Sequence, residues 1–170
     1  MNVSDAVRTK RAVRDFLPEP LAPSEVSAIL NAGRRAQSSK NEQAWHFIAV
    51  TDRALLKDLS TCGRWAGHLA GAALGVAILT PDPASKFQIM FDAGQAAAYM
   101  QLVAWECGIG SCMASIYEAD RARLILGFPE EWHLRIMISF GRPAQKGTLT
   151  DPPKRGGRRK FEEVVHADRW

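Results

Sequence analysis

Cysteine is scarce: the 170 residues hold three, Cys62, Cys107 and Cys112. An odd count excludes a complete disulfide framework and fits a reducing compartment. The five-residue step from Cys107 to Cys112 is not a zinc spacing. Each thiol reads as a small buried hydrophobe. Long apolar runs are also missing. The longest, Leu69 to Leu79, is broken by glycine, and a spanning helix needs about 20 residues. Met1 to Arg11 is polar, without the apolar core of a secretory leader. We therefore expect a soluble, cytoplasmic protein with no membrane partner. Catalytic signatures are absent too. There is no Gly-x-x-x-x-Gly-Lys-Ser/Thr loop, no His-Glu-x-x-His and no Gly-x-Ser-x-Gly. The histidines, His46, His68, His133 and His166, are dispersed, so no metal site is expected. Gly108-Ile-Gly110 is half of a dinucleotide fingerprint, but it follows a helical stretch and lacks the third glycine. Gly108 reads instead as a helix C-terminal residue.

What is present is a core. Hydrophobic residues make up 46% of the chain, enough for one domain spanning residues 1–170. A short helix is predicted over Ser4–Arg11 and a second over Ser24–Ala36, with Val26, Ile29, Leu30 and Gly33 on one face. Trp45–Thr51 reads as a strand, Arg53–Leu59 as a helix, and Ala72–Thr80 as a strand covered on both faces. Phe87–Cys107 is a long helix, apolar nearly all round. In a chain of this size that predicts burial in a subunit interface. A helix over Ala119–Leu126 follows. Trp132–Phe140 alternates strictly, so it reads as a strand with unlike faces. Residues from about 141 to 170 are rich in Pro, Gly, Lys and Arg and read as an arm wrapped on a partner subunit. The order gives an α+β fold with a mixed central sheet flanked by helices.

The net charge is +4, and its excess is concentrated at two places. Arg8, Lys10, Arg11 and Arg14 occupy the end of the first helix and the turn after it; Lys154, Arg155, Arg158, Arg159 and Lys160 lie in the tail. A solvated surface is the plain reading of either cluster. Phe16 and Phe161 close behind them point to docking, and arginine forks match phosphate oxygens. No aromatic residues interleave with the bases as a nucleic-acid platform requires, so no nucleic-acid partner is expected. A polar loop, Ser38-Ser39-Lys40-Asn41-Glu42-Gln43, precedes the first strand. By itself it reads as an ordinary turn.

Together these segments resemble the flavin-dependent nitroreductase family. Lys10-Arg11-Ala12-Val13-Arg14-Asp15-Phe16 is similar to its opening Arg-Arg-Ser-x-Arg-x-Phe. Residues 38–47 resemble its Ser-x-x-Asn-x-Gln-Pro-Trp-x-Phe. Asp92 through Gly108-Ile-Gly110-Ser111-Cys112 resembles its long helix and Gly-Leu-Gly-Ser turn. Gly141-Arg142-Pro143-Ala144 and Arg158 to Val165 resemble its closing motifs. Lys10 stands for the usual Arg, Ala12 for Ser and Ala44 for Pro, and the stretch from Thr80 to Phe87 is short where many members carry a substrate cover.

The resemblance implies a three-layer fold and a homodimer with two FMN sites at its interface. It implies NADH or NADPH as electron donor, ping-pong turnover and a small electron-poor acceptor such as a nitroaromatic or quinone. Lys10, Arg11, Ala12 and Arg14 would meet the flavin phosphate, ribityl chain or ring. Arg158 and Arg159 would close on the phosphate. Ser38, Ser39, Asn41 and Gln43 would contact the flavin of the other subunit, and backbone amides at Ala114 and Ser115 would face its N5 edge. His68 would lie near the pyrimidine edge or the substrate; a polar helix-end residue is its plain reading. No side-chain catalyst is implied, because the flavin carries the chemistry. The same resemblance admits other flavin reactions, such as dehalogenation or enoate reduction, or a flavin-binding module without activity.

Overall fold

A computed structural model describes residues 2–145, 147–151 and 157–170; Lys154 and Arg155 lie outside them. The elements in chain order are α1 (Val3–Thr9), α2 (Pro23–Arg34), β1 (His46–Val50), α3 (Arg53–Leu59), β2 (Leu74–Thr80), α4 (Gln88–Glu106), β3 (Gly110–Ser115), α5 (Ala119–Leu126) and β4 (His133–Gly141). Short 3-10 turns occupy Ser39–Asn41, Gly67–Gly71 and Phe161–Glu163.

The strands form one sheet in the order β1-β2-β4-β3. The expected mixed sheet needs correcting, because all three strand pairings are antiparallel. Parallel character is confined, among the described residues, to the single bridge between Ala12 and Ser111. The missing strand in the sequence reading is β3. Its Gly-Ser-Cys-Met-Ala-Ser carries no β-branched or aromatic residue, so propensity gives no signal. Pairing with β4 makes it a strand.

Two helical layers cover the sheet. On one face Ile29 of α2 and Ala93, Ala97, Met100 and Ala104 of α4 pack on Val76, Ile78, Ile138 and Phe140. On the other, Leu56, Leu59, Leu69 and Ala122 pack on Ala77, Leu79, Ala114, Leu134 and Met137. All seven residues of β2 are buried, as an uninterrupted apolar strand requires. The strict alternation expected for β4 fails at one point. Ile78 pairs with Ile136 but Leu79 pairs with Leu134, so Arg135 is an extra residue. This bulge reverses the facing. Leu134 and Met137 therefore share the α3–α5 face, while Ile138 and Phe140 face α2 and α4.

Helix α4 buries one side on the sheet and leaves an apolar stripe outside. Phe87 and Phe91 are 70% and 71% exposed, with Met90 between them. The arm expected from about residue 141 does not include residues 141–144. Gly141 pairs with Gly110, Pro143 bridges Phe16, and the Ala144 amide donates to Asp15 O, so these residues belong to the chain's own sheet edge. Residues 157–170 are all exposed.

Candidate functional site

Helix α1 ends at Thr9, and Lys10 turns to extended geometry (φ −52°, ψ 130°). The basic segment then runs along the sheet. The Val13 amide donates to Ser111 O at 3.0 Å, and the Leu17 amide donates to Arg142 O at 2.8 Å. Two glycines allow this close approach. A Cβ at Gly110 would come within 2.7 Å of Val13, and one at Gly141 within 2.8 Å of Phe16. Val13 and Phe16 thus anchor the segment and leave Lys10, Arg11 and Arg14 beside β3.

The hydrogen-bond phase of β3 decides what its outer edge offers. Ser111 O accepts from Val13, away from β4, while the Ile116 amide donates to Arg135 O, toward β4. Alternation along an antiparallel ladder then turns the amides of Met113 and Ser115 outward and those of Cys112 and Ala114 into the sheet. Ser115 presents its N–H at this edge; the amide of Ala114 is directed to β4.

Each basic side chain has a distinct environment. Arg11 donates through Nη1 to Arg8 O and Lys10 O, both at 3.0 Å, and its buried Nε has no partner among the described residues. Burial lowers the pKa of Lys10, with the Cys112 thiol acting in the opposite sense. Burial raises the Cys112 thiol, and Arg14 and Lys10 oppose that rise. Arg14 is exposed and opens onto a cleft of about 830 Å³ that Phe16, Arg64, Trp65 and His68 also line. His68 is half-buried. Its pKa is lowered by burial and then by Arg14, while a backbone contact with Met113 raises it. Its Nδ1 lies 2.7 Å from Ser139 Oγ, which in turn donates to Cys112 O at 3.2 Å. His68 Nε2 is buried without a partner among the described residues.

The polar loop before β1 forms a second group. Lys40, Asn41 and Gln43 adopt positive φ of 52°, 56° and 49°. Such conformations are uncommon for non-glycine residues and concentrate at functional sites. The loop is held in place: Asp92 Oδ2 of α4 accepts from the Ser39 amide at 3.0 Å, and Ser38 Oγ accepts from the Gln43 amide at 2.9 Å. The Asn41 and Gln43 side chains face solvent, with Gln43 Nε2 3.4 Å from Asn41 O. Arg158 and Arg159 lie on the exposed 157–170 segment, where Arg159 pairs with Glu163 at 3.3 Å.

The sheet order separates these groups. Lys10 to Arg14 sit at the β3 edge near the start of that strand. Ser38 to Gln43 sit at the β1 edge, at the end of the sheet where β3 finishes. Three strand spacings, about 14 Å, and much of a strand length lie between them. One chain therefore does not bring both groups to one ligand. Phe16 docks, as its place behind the basic cluster indicates, against Gly141. Sequence reasoning missed the Arg64–Trp65 rim, which comes from a loop without a motif, and Ser139, which comes from a tertiary contact.

The described residues contain no cluster of three or more His, Cys, Asp or Glu suited to a metal ion. The arrangement is a set of cations and outward amides, suited to an anionic ligand with carbonyl acceptors.

Comparison with known proteins agrees with that chemistry. A relative in Archaeoglobus fulgidus, named "Putative NADH dehydrogenase/NAD(P)H nitroreductase", is 26% identical over 171 residues, covering 96% of each chain. The solved structure of an FMN-dependent nitroreductase from Clostridium difficile superposes with a TM-score of 0.85 at 25% identity, covering 99% of this chain and 100% of that one. NfrA1 of Bacillus megaterium shares the fold (TM-score 0.86, 17% identity) but is longer, with 99% of this chain matching 74% of it. The sequence model of the nitroreductase family matches residues 7–66 and 60–142, from the basic segment through β4, and the chain belongs to that family.

Proposed function

We propose that this oxidoreductase is a homodimeric flavoenzyme that binds FMN, takes electrons from NADH or NADPH and delivers them to a small electron-poor acceptor, a nitro compound or quinone. The observation that carries this reading is the division of the site. The cationic segment and the polar loop lie at opposite corners of one sheet. They become one site only when a second copy supplies the missing half. The unpartnered stripe of α4, with Phe87 and Phe91 outward, offers the surface on which two copies would meet.

FMN fits the donor set. The buried Nε of Arg11, without a partner among the described residues, calls for an acceptor, and a phosphate or ring carbonyl supplies one. Lys10 and Arg14 add charge on the same side. In this reading Ser115 N–H faces the reactive edge of the ring, and Ser38, Ser39, Asn41 and Gln43 of the other subunit hold its polar groups. Arg158 and Arg159 reach the phosphate from the exposed tail. When bound, the flavin supplies hydride and electron transfer; the protein contributes binding, orientation and electrostatic field. Arg14 favours negative charge on the reduced ring. NAD(P)H and acceptor use the same open face in turn, which is ping-pong turnover. Compact size is not an obstacle, because the FMN-dependent Clostridium neighbour is matched over its full length.

Purified protein reconstituted with FMN should show flavin absorbance that NADH or NADPH bleaches without air and that a nitroaromatic or quinone restores. Protein that takes up no FMN, or holds FMN that neither donor bleaches, rejects the reading.

A further inference from the structure

The loop between α3 and the Gly67–Gly71 turn is pinned to the fold. Cys62 and Ala66 at its two ends are fully buried in the core on the α3–α5 face. Gly63 lies against β3, where a Cβ would collide with Ser115 O. Cys62 O also accepts from the amides of Tyr117 and Glu118, at 2.9 and 3.0 Å. Between Gly63 and Ala66 stand Arg64 and Trp65, both exposed, on the wall of the cleft into which Arg14 opens. Trp65 is 71% exposed, and the Arg64 guanidinium carbon stands 5.1 Å from its ring centroid. Stacked in this way, the guanidinium covers one ring face and keeps its in-plane N–H groups for another acceptor. Arg64 enters no ion pair among the described residues. The acid on the cleft wall is Asp15, against the two cations Arg14 and Arg64. A pinned loop presents this aromatic plate and its charge with little ordering left to do on binding.

The plate stands close to the outward N–H of Ser115. Gly63 touches that residue, and Trp65 is two residues on, within about 7 Å along the chain. That span suits a ring that itself reacts. The adenine and phosphates of a nicotinamide dinucleotide lie a ribose and a diphosphate away from its reacting carbon, and its reacting ring carries a neutral amide. An occupant that uses both the Trp65 face and the Arg64 charge is a planar acceptor bearing an anionic group. We propose that Arg64 and Trp65 determine specificity for the acceptor: Trp65 stacks on an aromatic ring and Arg64 holds a carboxylate on that ring. The enzyme then favours aromatic carboxylates, a nitrobenzoate or a carboxylated quinone, over their neutral counterparts. The assignment rests on the reading of the protein as an FMN-dependent oxidoreductase. For a nitro acceptor the balance is R–NO2 + NAD(P)H + H+ → R–NO + NAD(P)+ + H2O. The donor gives two electrons and one proton as hydride, solvent gives the second proton, and one nitro oxygen leaves as water. Arg64 and Trp65 hold the ring and exchange neither electrons nor protons.

The test compares 4-nitrobenzoate with 4-nitrobenzamide, which have the same ring and nitro group and differ in charge. It reads kcat/KM for each with the FMN-loaded protein, and binding of each to the oxidised protein by calorimetry without donor. Wild type should favour the carboxylate in both readouts. Arg64→Gln should lower the carboxylate-to-amide ratio by about fivefold or more in both, the scale of a partly exposed charge pair. Trp65→Leu should weaken binding of both compounds by about threefold or more and keep their ratio within about twofold, because it removes the stacking face and leaves the charge. Both side chains are exposed, so the variants keep the fold. Equal use of the two compounds by wild type, an unchanged ratio in Arg64→Gln, or a loss in Arg64→Gln confined to flavin bleaching by NADPH overturns the assignment while the flavoenzyme reading stands. Failure of wild type to bind FMN, or of NADH and NADPH to bleach it, overturns both.

Discussion

At the residue scale, desolvation and positive neighbours keep the site's imidazole neutral. Burial and Arg14 both make His68 harder to protonate in the folded protein than in the unfolded chain. Between the lowered folded value and the ordinary 6.5, the unfolded chain binds more protons. Stability therefore rises with pH through that window and falls as the solution is acidified below 6.5. Its full contribution is present above 6.5. Replacing His68 by Gln removes this dependence. Urea denaturation of the ligand-free protein at pH 7.5 and 5.5 should show a smaller acid loss in His68→Gln than in wild type. An equal loss would mean that the imidazole is not held neutral. The clustering of Lys10, Arg11 and Arg14 was legible in the sequence, because no acid lies among them. Ser139 was not, because a serine on a strand acquires meaning only from what lies across the sheet.

At the element scale, the site depends on an extended segment lying flat on the sheet. Residues 10–17 make few backbone bonds of their own, so their position is set by Val13 over Gly110 and Phe16 over Gly141. Helices and three strands were readable from period and punctuation, and the predicted Arg53–Leu59 and Ala119–Leu126 coincide with α3 and α5. Period alone hid β3 and the bulge at Arg135, because both arise from pairing between segments distant in sequence. Gly110→Ala places a methyl within 2.7 Å of Val13. Val13 is buried, so the segment must lift. That substitution should cost about 1–3 kcal/mol in a urea melt. It should also weaken FMN binding by about tenfold or more in a fluorescence titration, because Lys10, Arg11 and Arg14 move with the segment. A stability loss without any change in FMN affinity would separate the segment from the site.

At the scale of the whole molecule, the question is why so much apolar surface remains outside a chain with a complete core. The sequence reading of α4 was right that it is apolar nearly all round; the sheet accounts for one side only. The tail shows the same imbalance. Phe161, Val164 and Trp170 are 69%, 51% and 101% exposed, and no residue of 157–170 is buried. Such a segment adds little to the stability of the chain that carries it. In the dimer proposed here it crosses to the partner, where its aromatic and branched residues gain cover and Arg158 reaches the phosphate. Deleting residues 157–170 should therefore leave the secondary structure of the chain intact by circular dichroism. FMN affinity should fall by about tenfold or more, since a charge-assisted contact to phosphate contributes roughly 1.5–3 kcal/mol. Sedimentation should show dimers dissociating at higher concentration than for the full chain. Arg158→Ala alone should weaken FMN binding without shifting the dimer, because it removes the charge and keeps the apolar contacts. A truncated protein that binds FMN and dimerises as well as the full chain would assign the tail no part in either, and the phosphate would then rest on Lys10 and Arg11 alone.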